Sequence, residues 1–183
     1  MPSQSALLGA AGAHFVMCEL LRQNLIAALA PEGVPNIDIV VSDRMCNRQC
    51  TIQVKTRSGA GSDGGWHMKP HHEDLVVERL FYCFVDFGIT AQQPPDVYVM
   101  PSSIVADVLK ATHKAWLSNP GKNGRQRKDS KVRRLLPDYA NAYRPDINCF
   151  PRGWLDKYKG AWHLLGLDAA QSSRLTSTPP SAS

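Results

Sequence analysis

The chain has 183 residues, 43% of them apolar and 20% charged, with a formal net charge of +5. That length holds one ordinary α/β or α+β domain and leaves two full domains cramped, while the composition excludes wholesale disorder. The positive excess matters where it is concentrated: residues 121–134 hold seven Lys and Arg side chains against one acid, Asp129, a distribution suited to a polyanionic partner.

Residues 12–30 place Phe15, Val16, Leu20, Ile26 and Leu29 near helical spacing, with Pro31 and Gly33 as stop signals, so a first helix with a buried stripe is expected there. Glu19, Arg22 and Asn24 interrupt its apolar run, which predicts neither a signal peptide nor a membrane-spanning stretch. Residues 37–42 and 51–56 are rich in β-branched side chains and joined by a polar, Asn-containing segment, the pattern of two strands in a hairpin. The glycine-rich residues 58–66 lack the Gly-Lys-Ser/Thr ending of a nucleotide-binding loop, and a mobile loop beside a site is expected instead. A short helix is expected over 71–80. Residues 81–88 and 96–101 then read as nearly continuous apolar strands, covered on both faces.

A second helix is predicted from Ser102 or Ser103, as the capping residue, to about Leu117. The basic stretch 119–136 and a final amphipathic helix over about 153–165 would be appended to a core of about 9–117, all within one domain of residues 1–167. The polar, proline-containing residues 168–183 are expected to be a disordered tail. Five irregularly spaced cysteines, Cys18, Cys46, Cys50, Cys83 and Cys149, predict reduced thiols and a cytoplasmic protein rather than a disulfide framework. Cys46 and Cys50 lack the second ligand pair of a zinc site, and neither Ser102 nor Ser103 sits in a nucleophile elbow.

The chemistry is expected from three side chains. Residues two apart on a strand share a face, so Gln53 and Lys55 point the same way and Val54 the other. If the strand of Asp38 pairs alongside, the Asp38 carboxylate, the Gln53 amide oxygen and the Lys55 ammonium converge. Hard oxygen ligands beside a cation are what metal-dependent phosphodiester cleavage requires. In the "PNID" of residues 35–38 and the "IQVKT" of residues 52–56, fifteen positions from Asp38 to Gln53, the chain resembles the PD-(D/E)XK nuclease superfamily over roughly residues 9–100.

That resemblance implies an α/β (α+β) fold with a central mixed β-sheet flanked by helices, and a Mg²⁺- or Mn²⁺-dependent deoxyribonuclease activity. Asp38, Gln53 and the backbone carbonyl of Val54 would be the metal ligands, and Lys55 would orient or deprotonate water. Gln53 stands where an acid is usual, a variation known in some branches. Ala13 stands where a first-helix glutamate is common; Glu19 is the nearest substitute, about 120° around the helix. His72 and Glu73, in the cluster of residues 66–74, are further catalytic candidates. Lys69, Lys122, Arg125, Arg127, Lys128, Lys131, Arg133 and Arg134 are the expected phosphate contacts, with DNA the expected partner and RNA left open. Duplex cleavage takes two cuts, so a homodimer is one arrangement in view. The alternative reading is a catalytically degenerate nuclease fold that binds nucleic acid, or a protein partner, without cutting.

Overall fold

The computed structural model describes residues 1–59, 64–90, 92–121, 124–139 and 150–167. The chain begins with helix α1 (Gln4–Arg22), whose cap, Ser3, accepts a hydrogen bond from the Ala6 N–H at 3.2 Å. Five strands build the main sheet: β1 (Ile26–Leu29), β2 (Ile39–Ser42), β3 (Gln49–Arg57), β5 (Leu80–Asp86) and β6 (Asp96–Pro101), in the spatial order β1-β2-β3-β5-β6. Every neighbouring pair is antiparallel except β3 and β5. A parallel pair needs a crossover, and here it contains β4 (Trp66–Met68) and a 3-10 turn over Pro70–Glu73. Helix α2 (Ser102–Ser118) follows β6, and β7 (Arg133–Leu135) pairs antiparallel with β4 in a small second sheet. The protein is thus a mixed α+β fold with a five-stranded mixed sheet.

The sheet divides two cores. On one face α1 lays Val16 and Leu20 on Ile39, Val41, Ile52, Cys83 and Val85. On the other, Val105, Val108 and Leu109 of α2 meet Tyr82, Phe84 and Met100. Each fully buried aliphatic side chain contributes about 1.5–3 kcal/mol. Gly12 lets α1 approach β3 closely, because a Cβ there would collide with the Thr56 side chain. The β2–β3 connection is held by the Asp43 carboxylate, which accepts from the N–H groups of Met45, Asn47 and Arg48 at 2.9–3.0 Å.

Several elements differ from their sequence expectation. The first helix starts earlier and stops at Arg22; Asn24, in the left-handed region with φ 61°, turns the chain, and Ile26 and Leu29 belong to a strand. The Ala-rich run favours helix, but pairing with β2 overrides that weak preference. At 19 residues, α1 is also long and apolar enough, by length and composition, to cross a membrane, contrary to the expectation that no stretch reaches that size. Its Gly12, Val16 and Leu20 stripe is packed on the sheet.

Ser102 and Ser103 do not cap α2, whose N-cap is Pro101. Instead the Ser102 hydroxyl donates to the Val77 carbonyl at 2.9 Å and accepts from its N–H at 3.0 Å. The expected C-terminal helix is two 3-10 turns, Asp156–Tyr158 and Trp162–Leu165. Between them Gly160 takes φ 58° and donates its N–H to the Val97 carbonyl at 2.8 Å, docking the segment on the outer edge of β6. Leu155 and Tyr158 enter one core and Leu165 and Leu167 the other. Cys18, Cys46, Cys50 and Cys83 carry free thiols. Cys149, Lys122, residues 60–63 of the glycine-rich stretch and the tail 168–183 lie outside the described residues.

Candidate active-site cleft

The antiparallel β2–β3 register begins with Ile39 paired to Ile52, and Asp38 is the residue just before it. The Asp38 backbone N–H donates to the Ile52 carbonyl at 2.9 Å. Its carboxylate Oδ2 accepts from the Val54 N–H at 2.6 Å, which ties the aspartate to the centre of β3. Ile52 and Val54 pack in the α1-side core. Strand alternation therefore turns Gln53 and Lys55 to the α2 side, beside Tyr82 and Phe84, their register partners on β5.

There they border a cleft of about 550 Å³. Gln53, Lys55 and His72 line it together with Lys69, Lys131 and His67. Asn36, of the "PNID" segment, takes the left-handed φ 63° and places its Oδ1 3.1 Å from His71 Nε2 at the rim. No carboxylate among the described residues lines the cleft. Asp38 stands beside it, near enough for its charge to act on the Lys55 ammonium.

Gln53 is 8% exposed and its Oε1 is buried without a hydrogen-bond partner. An orphaned buried oxygen is costly and is rare in folded proteins. Burial pushes the Lys55 ammonium below the usual lysine range; Asp38 opposes that shift and Lys69 reinforces it. His72 is pushed down to about 4, first by burial and then by the positive charge of Lys55, His71 and Lys69. It is a neutral imidazole near pH 7, its Nδ1 2.8 Å from the Tyr82 hydroxyl.

The cleft does not gather every expected residue. Glu19 is on α1, across the sheet, and its Oε1 accepts from Arg22 at 2.8 Å. Glu73 accepts from Arg133 Nε at 2.5 Å instead of entering the cleft. Arg133, expected as a phosphate contact, is 5% exposed and turned inward. Strand β7 is the reason: Arg133 and Leu135 face the interior and Arg134 alternates outward, opposite His67. Lys69 and Lys131 reach the cleft, whereas Arg125 and Lys128 are exposed away from its lining. Arg127 lies over the Trp116 ring at 4.9 Å.

Three contributors went unrecognised in the sequence. Tyr82 holds His72, and its alternation on β5 toward the Gln53 face was the available signal. Arg57, at the end of β3, bonds Asp86 at 2.5 Å, stacks over Trp66 at 4.1 Å and donates to the Gly64 carbonyl, which ties the end of β3 to the far end of the glycine-rich stretch. Asn36 had no signal beyond its place before Asp38.

A divalent metal makes its own demands on the donor set. Among the described residues no three His, Cys, Asp or Glu side chains form a cluster able to hold one. Mg²⁺ can nonetheless be held by one or two carboxylates together with substrate phosphates; Asp38 is the one carboxylate of the candidate set, and the orphaned Gln53 amide offers a neutral hard oxygen. The residues fit such an ion when the substrate completes its shell.

No protein-family model matches the chain, and no curated protein matches it in sequence. Among solved structures the chain is similar to a bacterial homing endonuclease, I-Ssp6803I, with a TM-score of 0.49 and 16% identity, covering 90% of this chain and 92% of that one.

Proposed function

We propose that the cleft is a phosphodiesterase site of the PD-(D/E)XK kind, that DNA is its substrate, and that Mg²⁺ or Mn²⁺ is its cofactor. The observation that carries this reading is the partnerless Gln53 Oε1, buried on the same face of β3 as Lys55, in a cleft that Lys55, Lys69 and Lys131 line and beside which Asp38 stands. Asp38, Gln53 and the Val54 carbonyl would hold the metal, which supplies Lewis-acid polarisation of the scissile phosphoryl group. Lys55 positions the attacking water and stabilises the charge that develops on phosphorus-bound oxygens. Its displaced pKa suits a group that must also release a proton. Lys69 and Lys131 hold the strand by its phosphates. His72, neutral and fixed by Tyr82, offers a polar wall without adding charge.

The test is cleavage of supercoiled plasmid and linear DNA in Mn²⁺ by the wild type and by Asp38→Ala and Lys55→Ala. Each variant is expected to lose about 100-fold or more in rate. Equal cleavage by all three proteins would remove this cleft as the cause. A second reading, a nucleic-acid-binding module that no longer cuts, is favoured by one observation: the cleft lining has no carboxylate among the described residues. It predicts DNA binding by all three proteins, and cleavage by none.

A further inference from the structure

Tyr82 is fully buried, in the core that also holds Phe84, Met100 and Leu109, and among the described residues its hydroxyl has one hydrogen-bond partner, His72 Nδ1 at 2.8 Å. A neutral imidazole and a phenol can share that bond in two ways. If His72 carried its proton on Nδ1 and donated it to the phenol oxygen, the Tyr82 hydroxyl hydrogen would be left among apolar side chains with no acceptor. An unpaired buried donor is costly. If the hydroxyl donates to a bare Nδ1, neither group is wasted. The ring is neutral because it is 3% exposed and because Lys55, His71 and Lys69 add positive charge beside it. The buried phenol therefore sets the tautomer, and the ring proton sits on Nε2.

That N–H has a direction. The two nitrogens lie on different edges of an imidazole, and the Nδ1 edge is turned to the core by Tyr82. Among the described residues the buried side-chain nitrogens and oxygens without a partner are Gln53 Oε1, Thr56 Oγ1 and Arg57 Nε, and His72 Nε2 is not one of them. Neither bonded nor enclosed, Nε2 opens on the cleft that His72 lines with Gln53, Lys55, Lys69 and Lys131. The His71 ring, 4.0 Å from that of His72 and held by its own Nε2 3.1 Å from Asn36 Oδ1, closes the side. A neutral N–H set among ammonium groups is complementary to an oxyanion, to which it adds a directed bond where the lysines add charge.

We infer that His72 donates its Nε2–H to a non-bridging oxygen of the bound phosphodiester, and that Tyr82 is the positioning residue that keeps it in the donor tautomer. The inference rests on the nuclease reading for the identity of the ligand. It also removes His72 from the general bases: the nitrogen that faces the cleft already carries its proton, and proton transfer is left to Lys55.

The experiment uses the full chain, ¹⁵N-labelled, at neutral pH in EDTA. Proton–nitrogen correlation of the six histidine rings, with His72 assigned by His72→Gln, separates protonated from bare ring nitrogens. His72 should be protonated at Nε2 and bare at Nδ1, and Tyr82→Phe, which deletes the hydrogen bond, should move the Nδ1 resonance. A single-stranded thymidine tetranucleotide is then titrated into the wild type, His72→Gln and His72→Leu. Glutamine restores an amide N–H near the position of Nε2 and should bind within about threefold of the wild type, whereas leucine, with no donor, should bind about tenfold more weakly. The lost donor is neutral, so His72→Leu should leave the salt slope unchanged, while Lys131→Gln lowers it by about 0.7. A proton on Nδ1 would overturn the inference and leave the nuclease reading intact, as would full-strength binding by His72→Leu. The tautomer is read on the wild type and decides the matter even if His72→Leu fails to fold. A wild type that binds no tetranucleotide would overturn both readings.

Discussion

The two faces of the central sheet are built from the same strands and have different jobs. On the α1 side, Ile39, Val41, Ile52, Cys83, Val85, Val97 and Val99 form an apolar layer under Val16 and Leu20. On the α2 side the same strands put Tyr82 and Phe84 beside Gln53, Lys55 and the buried His72. One strand, β3, feeds both, since each step along it changes face. Its α1-facing residues stabilise the fold by burial. Its α2-facing residues reduce stability, through an orphaned oxygen and a half-buried ammonium, and line the cleft proposed to take a phosphodiester.

The largest effect that would break this contrast concerns Arg133. The basic stretch as a whole looks like a polyanion-binding surface, yet Arg133 bonds Glu73 at 2.5 Å and Asp129 at 3.3 Å from a buried position. Arg133→Ala should destabilise the protein by about 3–5 kcal/mol, the cost of leaving a buried partner unpaired. Lys131→Ala, two residues away and exposed in the cleft, should leave the urea midpoint unchanged and weaken DNA binding. If the two variants exchanged phenotypes, the inward and outward assignment of β7 would be wrong.

His72 gives the next effect, on pH dependence. Its folded pKa of about 4 lies below the ordinary value of 6.5. Between those values the unfolded chain binds a proton that the folded chain does not, so stability falls as pH drops from 6.5 toward 4 and is fully present above 6.5. The loss should be about 1–3 kcal/mol, read by urea unfolding at pH 7.5 and 4.5. His72→Gln should flatten that part of the profile. An unchanged profile would place the acid sensitivity elsewhere than beside Lys55, Lys69 and His71.

Much of this was legible in the sequence because it depends on local pattern. Alternation at Gln53 and Lys55, β-branched runs at β2 and β3, and the apolar run of β5 all report burial directly, whereas the mixed sheet with flanking helices was what the family resemblance implied. What was hidden depends on partners distant in the chain. Ile26 and Leu29 fit a helix until β2 is there to pair with. Arg133 and Glu73, 60 positions apart, look like a solvated cation and a catalytic acid until β4 and β7 bring them together. Glu19 lost its candidacy for a similar reason, because no sequence period shows which side of a sheet a helix will cover. The candidate site followed the same division: Asp38, Gln53 and Lys55 came from local spacing, whereas Tyr82 and Arg57 required the tertiary fold.

The smallest predicted change is the most discriminating. Gln53 Oε1 is buried and unpartnered, so Gln53→Leu exchanges a desolvated carbonyl for a side chain of similar reach that needs no partner. Removing such a penalty should stabilise the protein by about 1 kcal/mol, seen as a higher urea midpoint at unchanged slope. The same change deletes the oxygen proposed to face the metal, so cleavage in Mn²⁺ should fall as stability rises. If stability fell instead, the oxygen would have a partner in solution and the orphan argument would fail. If stability rose and cleavage persisted, Gln53 would be a tolerated polar residue on the cleft floor, and Asp38 would have to hold the ion without it. Opposite movement of stability and activity on a single substitution is what separates a residue kept for chemistry from one kept for packing, and β3 carries both kinds at adjacent positions.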